Sequence, residues 1–363
     1  MTPEFELYYG KSNITENIKP YLLDLSYTDH LAEQSDELQV SFADSSLKWI
    51  DTWFPTQGDV LQLKLGYAGQ ALVDLGKFEI VEIEFNYDYS GASVSLKALS
   101  TGISKANRTN QPKAYVNTTL KAIVEDVARK LKLNLTGTIQ HIPLQRVSQY
   151  QERDVEFLTR LAAEYNHSFK IVDKTLVFTT MQSLQQREPV VELDLSQVIA
   201  IRLSDTVKDM AKVVEVKGFH VKKKQTLHAK QTTKDKRQNT SNNKKQNATS
   251  PQASPSKDKN SNSKSKTAKT PPLSNTLKVV GRADSQQQID AKAAATTAKQ
   301  EDEQQSGTIQ LIGNAKLVAG NTILLKSFGK FNGKYLIKSA RHSFSYGQGF
   351  MTDIDIRMLE YIA

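Results

Sequence analysis

The sequence predicts a mixed, mainly β chain: two barrel-type β domains, a small α+β domain between them, and a disordered basic insertion. Three features of the chain point there. Apolar residues recur at period two through the first hundred residues and again from Gly307 to Leu359, as half-buried strands require. From Leu120 the period changes to that of amphipathic helices. Between Ala229 and Thr270 there is no aromatic residue and no Val, Ile, Leu or Met, so that stretch cannot bury enough apolar surface to offset ordering entropy of roughly 1–2 kcal/mol per residue.

The first barrel domain is expected at residues 1–105. Its strand sets are Phe5, Leu7, Tyr9; Leu38, Val40, Phe42; Leu61, Leu63, Leu65, Tyr67; Phe78, Ile80; Ile83, Phe85; and Val94, Leu96, Ala98. Short alternating strands at this spacing indicate a small barrel or sandwich with one wet face. The stretch from Asp44 to Asp59 interrupts them with Trp49, Trp53 and Phe54, which read as aromatic plugs under a loop or short helix.

The α+β domain is expected at 106–182. Leu120, Ile123, Val124, Val127, Ala128 and Leu131 lie at helical spacing behind Asn117-Thr-Thr, which offers a capping oxygen. Phe157, Leu158, Leu161, Ala162 and Tyr165 make a second helix behind Asp154, ended by Asn166-His167. Ser168–Val172 and Thr175–Thr179 then flank Asp173-Lys174 as a hairpin. Residues 183–220 are expected to supply strands to the second barrel, Val213–Phe219 among them; 221–275 is the disordered insertion; 276–363 holds a polar, alanine-rich helix over Gln286–Gln305 and the second barrel, with glycines at its corners.

At 363 residues the chain is long enough for two or three cores. It has no cysteine, which removes disulfide frameworks and thiolate metal sites. The first residues, Met1-Thr-Pro-Glu-Phe-Glu-Leu, have neither a basic start nor an apolar h-region, and no run of eighteen apolar residues occurs, so no signal peptide and no membrane anchoring are expected. The net charge of +9 is local: residues 221–272 hold fourteen Lys and Arg against two Asp, leaving 34 basic against 37 acidic residues elsewhere. A phosphate-binding footprint on a folded face is therefore not expected. The Lys-rich segment could grip nucleic acid or an acidic partner without sequence preference, and it lacks the interleaved aromatics that single strands stack on; the plainer reading is a solvated insertion.

Signatures of phosphate-cradling loops, zinc proteases and nucleophile elbows are absent. His30, His141, His167, His220, His228 and His342 are single, with no i, i+4 pair to hold a metal. His167 is expected to cap a helix end as a cation, and His342 to fill a rim or core position. The carboxylate pairs Glu152/Asp154, Glu192/Asp194 and Asp353/Asp355 are the nearest approach to a glycan-cutting constellation, and at i, i+2 spacing they read as solvent or seam positions. No catalytic residue, cofactor or metal ligand is expected; a cell-wall hydrolase is the weakest alternative, behind a nucleic-acid-binding protein.

Four blocks resemble the late control gene D family, the tail and baseplate hub proteins of contractile phages and phage-like injection systems. They are Phe42-Ala-Asp44 through Trp49, Pro55, Gly58-Asp59 and Leu75–Ile80; the helix Leu120–Leu131 with Asn134; the stretch Tyr150–Ala162 with Asp154, Phe157, Leu158, Arg160, Leu161 and Ala162; and the C-terminal run with Gly313, Gly320, Gly329, Gly333, Tyr335, His342 and Thr352. Of these, Asp154, Phe157, Leu158, Leu161, Ala162, Gly329, Gly333 and Tyr335 are signature positions whose apolar spacing speaks for packing. The resemblance implies two tube-like β-barrels per subunit and a homotrimeric ring that adapts a sixfold tail tube to a threefold spike. It implies as partners a separate spike protein, the tail tube protein, baseplate wedge proteins and the tape measure. No oligonucleotide-fold domain or β-helix follows in this sequence, hence the expectation that the spike is a separate polypeptide. It further implies synthesis in a bacterial cytoplasm and assembly into a phage tail, a bacteriocin-like tail or an extracellular injection particle, with no enzymatic role and no specific nucleic acid.

Overall fold

The computed structural model describes residues 2–32, 35–89, 91–100, 112–172, 174–206, 211, 213–220, 224–233, 276–302 and 305–362. The bulk of the expected insertion and the 105/106 boundary lie outside the described residues.

The first hundred residues form β1 (Pro3–Tyr9), β2 (Ser12–Asn13), the short helix α1 (Thr15–Ile18), β3 (Leu22–His30), β4 (Glu37–Ala43), β5 (Val60–Tyr67), β6 (Val73–Asp88) and β7 (Gly91–Ser100). The alternation does what it predicts: Leu61, Leu63 and Leu65 on β5 and Leu38, Val40 and Phe42 on β4 all face one core. The sets Phe78/Ile80 and Ile83/Phe85 belong to one strand and not two. Their phases differ by one residue because Val81 is bulged out between the pairs Ile80↔Ala98 and Glu82↔Lys97, which returns Ile83 to the inner face.

The middle comprises β8 (Lys113–Thr119), α2 (Leu120–Lys130), β9 (Asn134–Thr136), β10 (Pro143–Gln149), α3 (Asp154–Glu164), β11 (His167–Val172), β12 (Thr175–Thr180) and α4 (Met181–Gln185). Thr119 caps α2, its Oγ1 accepting the Ala122 N–H at 3.2 Å. Asp154 does not cap α3: Arg153 holds the cap position and Asp154 is the first helical residue. β11 and β12 form the expected antiparallel hairpin, Val172 opposite Thr175. Phe157, Leu158 and Leu161 of α3 meet Leu120, Ile123, Val124 and Val127 of α2 in a second core.

The rest of the chain supplies β13 (Pro189–Leu193), β14 (Ala200–Asp205), β15 (Val213–His220), β16 (Gln225–Thr232), β17 (Thr276–Arg282), α5 (Gln286–Asp302), β18 (Gln305–Ile312), β19 (Thr322–Leu325), β20 (Gly333–Ser345) and β21 (Gly349–Tyr361). Three expectations are corrected here. β15 does not join the C-terminal sheet; it sits between β16 and β17 in a sheet of three strands, because its buried Val214 and Val216 are covered by α5. The basic segment begins later than residue 221, since Gln225–Thr232 pairs along β15, with Ala229 and Leu227 turned toward α5. The alanine-rich helix stops at Asp302, and Gln305 already opens β18. Close packing of α5 requires Gly218, where an added Cβ would come within 2.4 Å of Ile289 and 2.5 Å of Ala283.

The two β regions are one sheet. Thirteen strands form a continuous ladder in the order β14-β18-β21-β20-β3-β4-β7-β6-β5-β1-β2, with β19 and β13 branching from β20. The join is the antiparallel pairing of β3 with β20, from Leu25↔Phe344 to His30↔Ser339. Among the described residues the ladder is an open path and does not close into a barrel. Each half has its own core, one around Leu7, Phe42, Leu63 and Phe78, the other around Ile309, Tyr335, Ile354 and Met358.

Candidate assembly interface

The signature residues fall into two separate groups. At the start of α3, Asp154 is buried, with one carboxylate oxygen 2.8 Å from Lys130 Nζ at the end of α2 and the other accepting from Gln149 Nε2 at 2.9 Å. The carboxylate thus ties α3 to the α2 C-terminus and to β10, and the negative charge suits the helix N-terminus. Phe157, Leu158, Leu161 and Ala162 continue inward from it, with Tyr115 stacked on Phe157 at 5.6 Å. Gly329, Gly333 and Tyr335 lie elsewhere, at the entry to β20. Gly329 has φ +62, a Cβ at Gly333 would fall 2.3 Å from the Glu360 carbonyl oxygen, and the buried Tyr335 hydroxyl donates to Phe331 O at 2.9 Å. All eight shape elements; none lies across a cleft from another.

The acidic pairs are likewise engaged locally. Glu152 pairs with Arg160 at 2.7 Å, Glu192 with Lys326 at 2.5 Å, Asp353 accepts from Gln310 and Asp355 from Ser339. Among the described residues no three His, Cys, Asp or Glu gather as metal ligands would. His167 is not a cationic cap. Burial lowers its pKa, its Nδ1 donates to Tyr165 O at 2.7 Å, and its Nε2 accepts the Gln140 N–H at 3.2 Å, which only a neutral ring can do. His342 is fully buried in β20 and pushed down to about 4 by that burial, beside Thr352 Oγ1 at 3.0 Å and stacked on Tyr27.

Sequence reasoning missed the joint that holds three parts of the chain together. Lys170 of β11 enters between two buried carboxylates, pairing with Asp29 of β3 and, at 2.9 Å, with Asp36. The second oxygen of Asp29 accepts the Ala319 N–H at 2.8 Å from the segment before β19. Asp36 also accepts from the His30 N–H at 3.1 Å and the Tyr27 hydroxyl at 3.4 Å. Two carboxylates share one ammonium, so burial raises Asp36 to about 7 despite Lys170. Burial opposes the charge on Lys170, yet Asp29 and Asp36 outweigh it and raise its pKa. Removing the lysine would strand buried charge at a cost of about 3–5 kcal/mol. A lysine in a hairpin and two aspartates some 141 residues away give no spacing signal that could have announced the cluster.

The outer surface is unevenly apolar. Trp49 is buried and stacked on Phe42 at 4.2 Å, the core plug the sequence suggests, whereas Trp53, Phe54, Leu47 and Ile50 of the same loop are exposed. The Asp44 N–H bonds to Ala92 O at 2.8 Å, placing this loop against the outer end of the β6–β7 hairpin, where Phe85, Tyr87 and Tyr89 are also exposed. Contiguous apolar surface of this kind marks a contact with another molecule.

Comparison with known proteins gives these features a context. Residues 103–348 match the family model described as phage tail baseplate hub (GPD). The chain belongs to that family. It is 28% identical over 244 residues to the probable baseplate hub protein of Escherichia phage 186, covering 65% of this chain and 61% of that protein. Against the probable baseplate hub protein of Escherichia phage P2 the identity is 31% over 166 residues, 45% of this chain and 41% of that one. The alignments therefore span about three fifths or less of these relatives' lengths. In fold the chain is similar to the 43 kDa tail protein of prophage MuSo2 from Shewanella oneidensis, with a TM-score of 0.65, 14% identity and 98% of both chains covered.

Proposed function

We propose that this baseplate hub family member is a structural part of a contractile phage tail or phage-like injection particle, without enzymatic activity. Three copies form a ring at the end of the tail tube. Each copy contributes two barrel-like β units side by side, so that the ring offers six similar units to the sixfold tube and three to the spike. The spike, tube, wedge and tape-measure proteins are the partners of this reading; the protein is made in the bacterial cytoplasm and carried in the particle. The observation that carries it is the β3–β20 pairing, which fuses both β regions into one ladder and makes them a single rigid segment. Edge strands at both ends of an open ladder favour covering by neighbours. Layout as domains at 1–105, 106–182 and 276–363, with two tube-like barrels, belongs to the same proposal.

The test is the molar mass of the purified full chain by light scattering behind a sizing column, with negative-stain images of the main peak. Three protomers in a ring are expected. A single copy that persists after co-expression with the spike and tube proteins of the same particle would overturn the proposal.

A further inference from the structure

The β6–β7 hairpin leaves the ladder as a two-faced arm. Beyond the pair Val60↔Glu79, β6 has no ladder neighbour but β7. Alternation puts Ile83, Phe85 and Tyr87 on one face and Glu82, Glu84 and Asp88 on the other. Phe85 is 42% exposed, Tyr87 77%, and Tyr89 at the tip wholly exposed. Residues 82–94 contain no Lys, Arg or His. A two-stranded ribbon is marginal in water by itself, and this one presents aromatic rings to solvent.

Elsewhere on the chain a groove of about 450 Å³ opens between α5, the end of α3 and the strands β15 and β17. Val279, Val280, Ala283, Ile289 and Ala295 line it, and its charged groups are Lys217, Lys292 and Lys299 against the single Glu164. The groove exists because one rung of the sheet, Gly218 beside Gly281, carries no side chains. Ile289 and Ala283 fill the space over Gly218, whereas a Cβ at Gly281 would meet nothing within 4 Å.

We infer that the aromatic arm of one copy of this chain docks into this groove on a second copy. Complementary charge selects that occupant: an arm with three carboxylates and no cation meets a groove with three ammonium groups and one carboxylate. The apolar wall receives the rings of Tyr87 and Tyr89, and the volume is in the range that takes side chains of this size. Arm and groove are different surfaces, so the contact is head-to-tail and closes into a ring under a fixed rotation. The inference rests on the ring assembly proposed above and names where its copies touch.

The full-length chain tests it by light scattering across a concentration series, on variants altered only at exposed or empty positions. Phe85→Ser with Tyr87→Ser, and separately Gly281→Leu, are expected to weaken self-association about tenfold or more while leaving the thermal midpoint in place. Glu84→Lys weakens it too, and Lys299→Glu in the same chain restores it. Because the chain has no cysteine, Tyr89→Cys with Thr296→Cys is expected to give disulfide-linked oligomers on a non-reducing gel. Wild-type rings alongside unaffected variants and no cross-link would overturn the contact and leave the ring standing. A wild-type chain that stays single at every concentration and does not cross-link would overturn both.

Discussion

The long ladder and the small β15–β16–β17 sheet differ in what covers them. The ladder buries large side chains, such as Phe42, Leu63, Phe78, Tyr335 and Met358, on an inner face that both halves enclose. The small sheet is covered by one alanine-rich helix, and its core is Val214, Val216, Ala229, Ala283, Ile289 and Ala293. Burial stabilises in proportion to apolar area, about 25 cal/mol per Å², so a core of valines and alanines holds its helix far less firmly than the ladder holds itself. The lesson is a division of labour: a rigid frame, and an attached layer thin enough to leave a groove. The joints differ in kind too. A buried ionic cluster fastens β11 to the ladder, whereas α5 meets the α+β part through Gln288 Nε2 to the Tyr165 hydroxyl at 3.0 Å and a Lys292–Glu164 pair at 2.7 Å.

The sharpest way to break this contrast is Phe78→Ala, which opens a cavity beside Tyr27 in the frame. A loss of about 3–5 kcal/mol is expected in urea unfolding, felt by every probe of the ladder. Gly218→Val acts on the thin layer alone: its new side chain meets Ile289 and Ala283, and about 1–3 kcal/mol of local stability is lost. Hydrogen exchange should then speed in α5 and leave β4 and β21 protected; equal loss in all three would show that the layer is not separable.

The ionic joint adds a pH signature. Asp36 has its folded pKa raised to about 7 from an ordinary 3.8, so the folded state keeps a proton that the unfolded state has released. This contribution is fully present below pH 3.8 and is lost as pH rises toward 7. Asp36→Asn should flatten the fall in thermal midpoint across that window, and an unchanged slope would point to other groups. The smallest effect is expected from Gly281→Leu, whose side chain enters empty space: a change in stability within about 0.5 kcal/mol, against the clear cost at Gly218 on the same rung.

Much of the local structure was legible. The helix over Leu120–Lys130 with its Thr119 cap, the β11–β12 hairpin and the inward leucines of β5 follow from spacing alone, since period and capping chemistry are properties of neighbouring residues. The helix α5 was legible as a helix but not in its role. Its alanines show no single apolar stripe because Ile289 and Ala293 face the small sheet while Ala291 enters the core of the α+β part. The strand Thr276–Arg282 was not read, and β15 was assigned to the wrong sheet, because a Val-rich strand carries no mark of which neighbour it will pair with.

By itself the sequence determined the elements, their inner faces, the concentration of charge in one polar segment and the family likeness. Tertiary structure alone decided that β3 pairs with β20, some three hundred residues later, and so made one ladder of two β regions. It alone brought Lys170 between Asp29 and Asp36, left Gly281 facing a void and Gly218 facing Ile289. The physical reason is range: torsional preference, periodicity and capping act within a few residues, whereas strand partners, buried ion pairs and voids depend on which distant surfaces meet.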